Sequence, residues 1–244
     1  MSPYLWGRGF KKIDVVALTH AHQDHLGGLT AILENFRVGR LWIGREVKSP
    51  ALAKLESLAR ERNIPVEFES RSKEFSLDGV QGQFLWPEVA YADAAVTAKN
   101  NDSLVLRLKF RNRALLLPGD AEKQAEQAML AENSEGDLHA DVLKVGHHGS
   151  KNSTTPEFLE AVHPQVAVIS AGEDNPYGHP SPELLEQLQS AGARVLRTDR
   201  DGAVHILTDG DKLEISCFVA CDDLTTVTVS GSAQAPDQNQ NREQ

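Results

Sequence analysis

A chain of 244 residues is long enough for one large domain, or at most two small ones. Its 40% hydrophobic and 25% charged residues are ordinary for a globular fold, and no run approaches 18 apolar residues, so no membrane span is legible. The formal charge of −10 argues against a generic nucleic-acid-coating protein but not against a nuclease, because divalent ions held by carboxylates reverse the local sign.

The opening residues, Met1-Ser2-Pro3-Tyr4-Leu5-Trp6, lack the basic-then-apolar pattern of a signal peptide. Residues 2–12 read as a short helix and turn. The apolar run Ile13 to Leu18 is β-branched, short and ends in a polar turn, which predicts a buried strand. Directly after it, Thr19-His20-Ala21-His22-Gln23-Asp24-His25-Leu26-Gly27-Gly28 packs three histidines and one aspartate into six residues. His20 and His22 are two apart, so in an extended segment their imidazoles point the same way. Once the chain turns, Asp24 and His25 face a second point nearby. Imidazole and carboxylate together suit zinc, manganese or iron, so His20, His22, Asp24 and His25 are candidate metal ligands.

Leu26 to Phe36 reads as a helix, with Leu26, Leu29, Ile32 and Leu33 on one face, and Val38 to Ile43 as a strand. Ser49-Pro50 starts a second helix, with proline where its missing N–H costs nothing, and Asn63 to Pro65 ends it. Val66 to Phe68 is a strand. Phe75, Leu77, Phe84 and Trp86 predict a hairpin around Asp78-Gly79, followed by an alanine-rich loop from Pro87 to Asn101. Ser103 to Phe110 alternates with period two and pairs with Ala114 to Leu117 through a tight turn.

Leu115-Leu116-Leu117-Pro118-Gly119-Asp120 then ends an apolar strand in a carboxylate. Two cations held close together need a negative bridging ligand, and Asp120 is the obvious donor. Ala121 to Leu130 is predicted helical. The strand Asp141 to Val145 ends in Gly146-His147-His148-Gly149-Ser150, where one histidine completes the second metal and the other faces substrate. Lys144 alternates away from its apolar neighbours, while Ser150 and Lys151 are placed to meet an anion. Helix 156–162, strand 166–170, helix 182–191 and strands 194–197, 203–207 and 213–218 follow. His179, in Asn175-Pro176-Tyr177-Gly178-His179-Pro180, shares the rim of strand ends; His139, His163 and His205 read as structural. Cys217 and Cys221, four residues apart, read as two ordinary thiols, with a bridge or a weak metal pair as the alternatives. Residues 1–220 form the expected domain, and 221–244, rich in Ser, Gln, Asn and Asp, the expected disordered tail.

Strands alternating with helices predict an α/β layered domain. The His-x-His-x-Asp-His pattern is similar to the signature of the metallo-β-lactamase superfamily. That resemblance implies an αββα sandwich with two divalent metal ions, zinc or manganese. Taken with Val145-Gly146-His147-His148-Gly149-Ser150-Lys151-Asn152-Ser153, Asn100-Asn101-Asp102-Ser103, the Pro-Gly-Asp segment and Tyr177-Gly178-His179-Pro180, residues 2–217 resemble the C-terminal domain of the ComEC family of DNA-uptake proteins. Against that family the chain looks truncated, without the first strands, which would leave a sheet edge unpaired. It also lacks a histidine between His25 and His139, a role that Asp102 partly fills or that otherwise falls to water, with the first metal then held more weakly.

The resemblance implies a metal-dependent phosphodiesterase acting on single-stranded DNA. Its ligands would be His20, His22, Asp24, His25, Asp120 and His148, with hydroxide generated at the metals. Asp24, His147 and His179 would be catalytic, and Lys144, Ser150, Lys151 and Asp102 would bind substrate. It further implies a membrane channel domain of the same parent protein as partner and a soluble domain outside the plasma membrane. Two alternatives stand beside it, a small-ester hydrolase (phosphorylcholine esterase or thioesterase) and a non-catalytic fragment. Only the shared motif points to a β-lactam.

Overall fold

The computed structural model describes residues 2–88, 99–134, 136–219 and 221. The expected tail, apart from Cys221, and most of the alanine-rich loop lie outside the described residues. Helix α1 (Ser2–Gly7) leads into β1 (Lys12–Leu18), and β2 (Arg37–Ile43) and β3 (Val66–Phe68) add to it in parallel. Parallel neighbours need crossovers. The first is α2 (Gln23–Leu26) with α3 (Leu29–Asn35), and the second is α4 (Pro50–Glu61). Leu29, Ile32, Leu33, Leu52, Leu55 and Ala59 are buried against Leu18, Leu41 and Ile43. Ser49 caps α4 by accepting the Leu52 N–H at 3.3 Å. The single helix predicted over 26–36 is broken at Gly27-Gly28, where two poor helix formers sit in succession. The apolar face is still continuous, because Leu26, Leu29, Ile32 and Leu33 are all buried.

A second sheet has seven strands in the order β10-β9-β8-β7-β6-β5-β4. They are β4 (Glu74–Leu77), β5 (Val80–Trp86), β6 (Val105–Phe110), β7 (Arg113–Leu117), β8 (Val142–Lys144), β9 (Val166–Ile169) and β10 (Arg194–Arg197). β4 to β7 are antiparallel. The β4–β5 turn is Asp78-Gly79 with φ of +49° and +85°, the two positive values a tight hairpin demands. From β7 onward the strands are parallel, linked by α5 (Lys123–Glu132), α6 (Pro156–Val162) and α7 (Pro182–Ser190). Met129, Phe158, Leu159, Leu184 and Leu188 seal these helices onto the sheet.

The two sheets face each other across Trp42, Phe84, Leu104 and Leu106. Trp42 packs its ring 4.7 Å from Phe75 and 5.2 Å from Phe84. A one-turn helix, α8 (Thr198–Asp201), which no periodicity announces, precedes the hairpin β11 (Val204–Thr208) and β12 (Leu213–Cys217). Leu213 and Ile215 of that hairpin cover Val142, Val166 and Leu196. The order of layers is helices, sheet, sheet, helices, as expected. β1 pairs with β2 alone, so it is an edge strand among the described residues.

Cys217 and Cys221 are not free thiols. They form a disulfide, because the bend after β12 brings their Cα atoms to 5.4 Å, inside the range a bridge requires. His205 receives or gives a hydrogen bond at the Tyr4 hydroxyl, 2.9 Å away, and the His139 and His163 rings stack 6.5 Å apart.

Candidate metal centre and substrate cavity

Each polar loop of interest leaves the C-terminal end of a strand, so both sheets deliver side chains to one rim. After β1 come residues 19–25, after β7 Asp120, after β8 His147 and His148, and after β9 the loop 170–179. The Thr19 carbonyl accepts the Leu104 N–H at 2.8 Å, which fastens the two sheets together beside the site.

The imidazoles are oriented from behind. Thr19 Oγ1 lies 3.2 Å from His20 Nδ1 and 3.0 Å from His25 Nδ1, and Ser103 Oγ lies 3.3 Å from His20 Nδ1. Ser103 Oγ also accepts the Asp120 N–H at 2.9 Å. His148 Nδ1 donates to the Ser170 carbonyl at 2.8 Å, which leaves Nε2 to face the site as a lone pair. From there His148 Nε2 is 3.3 Å from His25 Nε2, 3.5 Å from Asp24 Oδ2 and 3.7 Å from Asp120 Oδ2. Asp24, His25, Asp120 and His148 each offer an atom within 4.8 Å of the others'.

Asp120 is the meeting point. Its Oδ2 lies within 4.0 Å of one ring nitrogen from each of His20, His25, His147 and His148. Its Oδ1 is buried with no hydrogen-bond partner, and Lys144 Nζ stops 4.0 Å short of it. A buried carboxylate oxygen left without a donor is costly, and a cation satisfies it. The donors are imidazole and carboxylate, so the residues present fit zinc, manganese or iron. Burial alone would push the Asp120 carboxyl up. The hydrogen bond from His25 and the charges of His25, Lys144 and His148 outweigh it and hold the group well below the ordinary carboxylate range. Burial, reinforced by the nearby His25 charge, lowers His20 to about 3, so its imidazole is neutral and ready to ligate at physiological pH. His20 Nε2 and His22 Nδ1 are 2.9 Å apart.

His147 and His148 both take left-handed backbone, φ +45° and +56°, and Gly149 continues it at +87°. Such non-glycine residues cost about 1–3 kcal/mol each and cluster at functional sites. The strain turns two consecutive rings to different partners. His147 Nδ1 lies 3.1 Å from Glu122 Oε1, which also accepts Asn100 Nδ2 at 3.0 Å. The Glu122 N–H in turn donates to Asn101 Oδ1 at 2.8 Å. His179 stands 5.6 Å from His147, ring to ring, and is lowered by burial and by the charges of His147 and His148. Together His22, Asp24, Asn100, His147, His148, Tyr177 and His179 border an open cavity of about 800 Å³.

The remaining expected residues do not line that cavity. Asp102 is turned away: its Oδ1 accepts Arg45 Nη1 at 2.6 Å and its Oδ2 accepts the Lys99 N–H at 2.7 Å. It is 2% exposed, and both its carboxylate oxygens are engaged by these contacts. Lys144 is three-quarters buried behind Asp120. Ser150 is buried, and its Oγ accepts the Asn152 N–H at 3.3 Å. Lys151 lines a neighbouring cleft of about 560 Å³, with Lys123, Asn152 and Glu122, not the histidine cavity. Glu122, Thr19 and Tyr177 were not anticipated. Glu122 was the most accessible to sequence reasoning, as a carboxylate two residues beyond Asp120.

Over 203 residues the chain is 41% identical to ComE operon protein 3 of Bacillus subtilis (strain 168), a match covering 83% of this chain and 25% of that protein. With Competence protein ComA of Neisseria gonorrhoeae it shares 31% over 202 residues, 83% of this chain and 26% of the relative. The likeness to the ComEC family is thus borne out, and the chain spans about a quarter of the length of these relatives. Among solved structures, CmlA, a diiron β-hydroxylase from Streptomyces venezuelae, aligns with a TM-score of 0.52 at 17% identity. It covers 77% of this chain and 44% of that one, a likeness of fold alone. Residues 1–173 match the metallo-β-lactamase superfamily, and on that match and the layered fold this chain belongs to that superfamily.

Proposed function

We propose that this chain is a metal-dependent phosphodiesterase that cleaves DNA, single strands in particular, in competence-related uptake. The carrying observation is Asp120, with Oδ2 within 4.0 Å of four imidazole nitrogens and Oδ1 buried without a partner. The competence relatives support DNA as the substrate.

In this reading His20, His22 and Asp120 would hold one divalent ion, and Asp24, His25, His148 and Asp120 would hold the second, zinc or manganese in each case. Bound cations supply Lewis acidity, which lowers the pKa of water and offsets phosphate charge. The protein does the rest. Asp120 places one negative charge between the two ligand groups, and Asp24, 61% exposed in its side chain, orients the attacking water. His147 and His179, which line the same cavity, donate to the phosphate oxygens. Lys144 adds positive potential behind Asp120, and Lys151 meets the DNA backbone outside the cavity.

The Cys217–Cys221 bridge favours an oxidising compartment, which supports a position outside the plasma membrane beside a channel domain of the parent protein. Among the described residues no helix is long and apolar enough to cross a membrane.

The test is to load the chain with Mn²⁺ or Zn²⁺ and follow cleavage of single-stranded DNA. Asp120→Ala abolishes cleavage if the reading is right, and unchanged activity in that variant overturns it. Absence of bound metal and of a cooperative melt would favour the non-catalytic alternative. The small-ester reading has one observation in its favour, the exposed Tyr177 at the cavity rim, because an aromatic face attracts a choline ammonium.

A further inference from the structure

Tyr177 is 79% exposed, with its ring at the mouth of the cavity that holds His147 and His179. Its ring stacks on His179 at 6.1 Å with only 22° between the planes. His179 in turn meets His147 edge-on at 5.6 Å. An aromatic ladder therefore runs from the cavity wall to the solvent, and the outer face of Tyr177 ends it.

The loop that carries the ring is braced. Asn175 Oδ1 accepts the His179 N–H at 3.0 Å, and Asn175 Nδ2 donates to the carbonyls of Gly172 at 2.9 Å and His179 at 2.6 Å. One side chain thus closes the loop from 172 to 179 on itself, with Tyr177 at the tip. Ser181 N–H donates to the Gly149 carbonyl at 2.9 Å, tying the loop to the histidine pair. A ring held out this way loses little freedom when a ligand covers it.

We propose that Tyr177 is a stacking platform for a nucleobase next to the phosphate that reacts, an inference that rests on the phosphodiesterase reading. A flat π-face accepts any base, so the platform confers grip without sequence preference. The alternative occupant of the same face, a quaternary ammonium headgroup, is an outcome of the test.

The experiment compares two diesters with the same leaving group on the metal-loaded chain, thymidine 5′-(p-nitrophenyl phosphate) and methyl p-nitrophenyl phosphate. Tyr177→Ala raises KM for the nucleoside ester about tenfold and leaves the methyl ester within twofold, and Tyr177→Trp restores the first. Metal content stays at the wild-type level. A nuclease-resistant phosphorothioate oligothymidylate, followed by fluorescence anisotropy, binds about tenfold more weakly to Tyr177→Ala whatever the turnover. Equal losses on both esters, or unchanged KM and unchanged oligonucleotide binding, overturn the platform. A selective loss on p-nitrophenylphosphorylcholine overturns it in favour of the ammonium ligand. If wild type cleaves neither diester, the phosphodiesterase reading fails by itself, and the anisotropy arm still decides on Tyr177.

Discussion

Glu122 and His147 lie 3.1 Å apart, Oε1 to Nδ1, and this contact turns the opposite nitrogen of the ring towards Asp120. His148, the next residue, is oriented by a backbone carbonyl instead. One histidine is therefore steered by a charge and its neighbour by a dipole. Glu122→Gln is expected to lower turnover about 10- to 100-fold at unchanged metal content, the usual effect of losing an orienting partner. In a His147→Asn background, chosen because asparagine tolerates left-handed backbone, the same change costs less than twofold. Kinetics of the four proteins test this, and additive losses would mean that Glu122 acts elsewhere.

Asp102 and Arg45 form an ion pair at 2.6 Å with both side chains under 10% exposed. Removing one partner of such a pair costs about 3–5 kcal/mol. Asp102→Ala is therefore expected to lower the urea midpoint strongly, while elemental analysis still finds the wild-type number of ions at saturating metal. Loss of an ion with intact stability would return Asp102 to the metal site.

The chelator-treated protein carries a pH signature. His20 is depressed from 6.5 to about 3, so between those values the unfolded chain binds a proton that the folded chain refuses. Above pH 6.5 the ring is neutral in both states and adds nothing; as pH falls towards 3 it destabilises the fold progressively. The slope is at most about 1.4 kcal/mol per pH unit. Denaturant unfolding from pH 7 to 4 should show a shallower fall in His20→Asn than in wild type.

Lys151 opens onto the cleft beside the histidine cavity, with Glu122 between them. Lys151→Ala is expected to weaken binding of long single-stranded DNA and to reduce its salt slope by about one. Hydrolysis of methyl p-nitrophenyl phosphate should be unchanged. A loss on the small ester would place Lys151 at the reacting phosphate instead.

What was legible beforehand was local. The alternation of Ser103 to Phe110, the Asp78-Gly79 turn and the proline after Ser49 each express a backbone preference within a few residues, and each element formed. The donor cluster of Asp24, His25, Asp120 and His148 was legible because each ligand loop ends an apolar strand. What escaped was decided by distant partners. Asp102 was claimed by Arg45, 57 residues away, and Glu122 found its role through His147, 25 residues on. Neither pairing has a trace in local spacing. The break at Gly27-Gly28 shows the opposite failure, a smooth apolar stripe that hid two weak helix formers. The Cys217–Cys221 bridge depended on a bend that composition does not announce.

The candidate ligands come from opposite sides of the sandwich, Asp24 and His25 from the end of β1 and Asp120 and His148 from the ends of β7 and β8. An ion bound among them would be a rivet through both sheets at the rim, beyond the apolar seam of Trp42, Phe84, Leu104 and Leu106. Mechanical integrity would then rest on the same component as the proposed catalysis. At a free metal concentration a hundredfold above its dissociation constant, that rivet contributes about 2.7 kcal/mol against separation of the layers. Depriving the protein of that ion would therefore expose it to proteases.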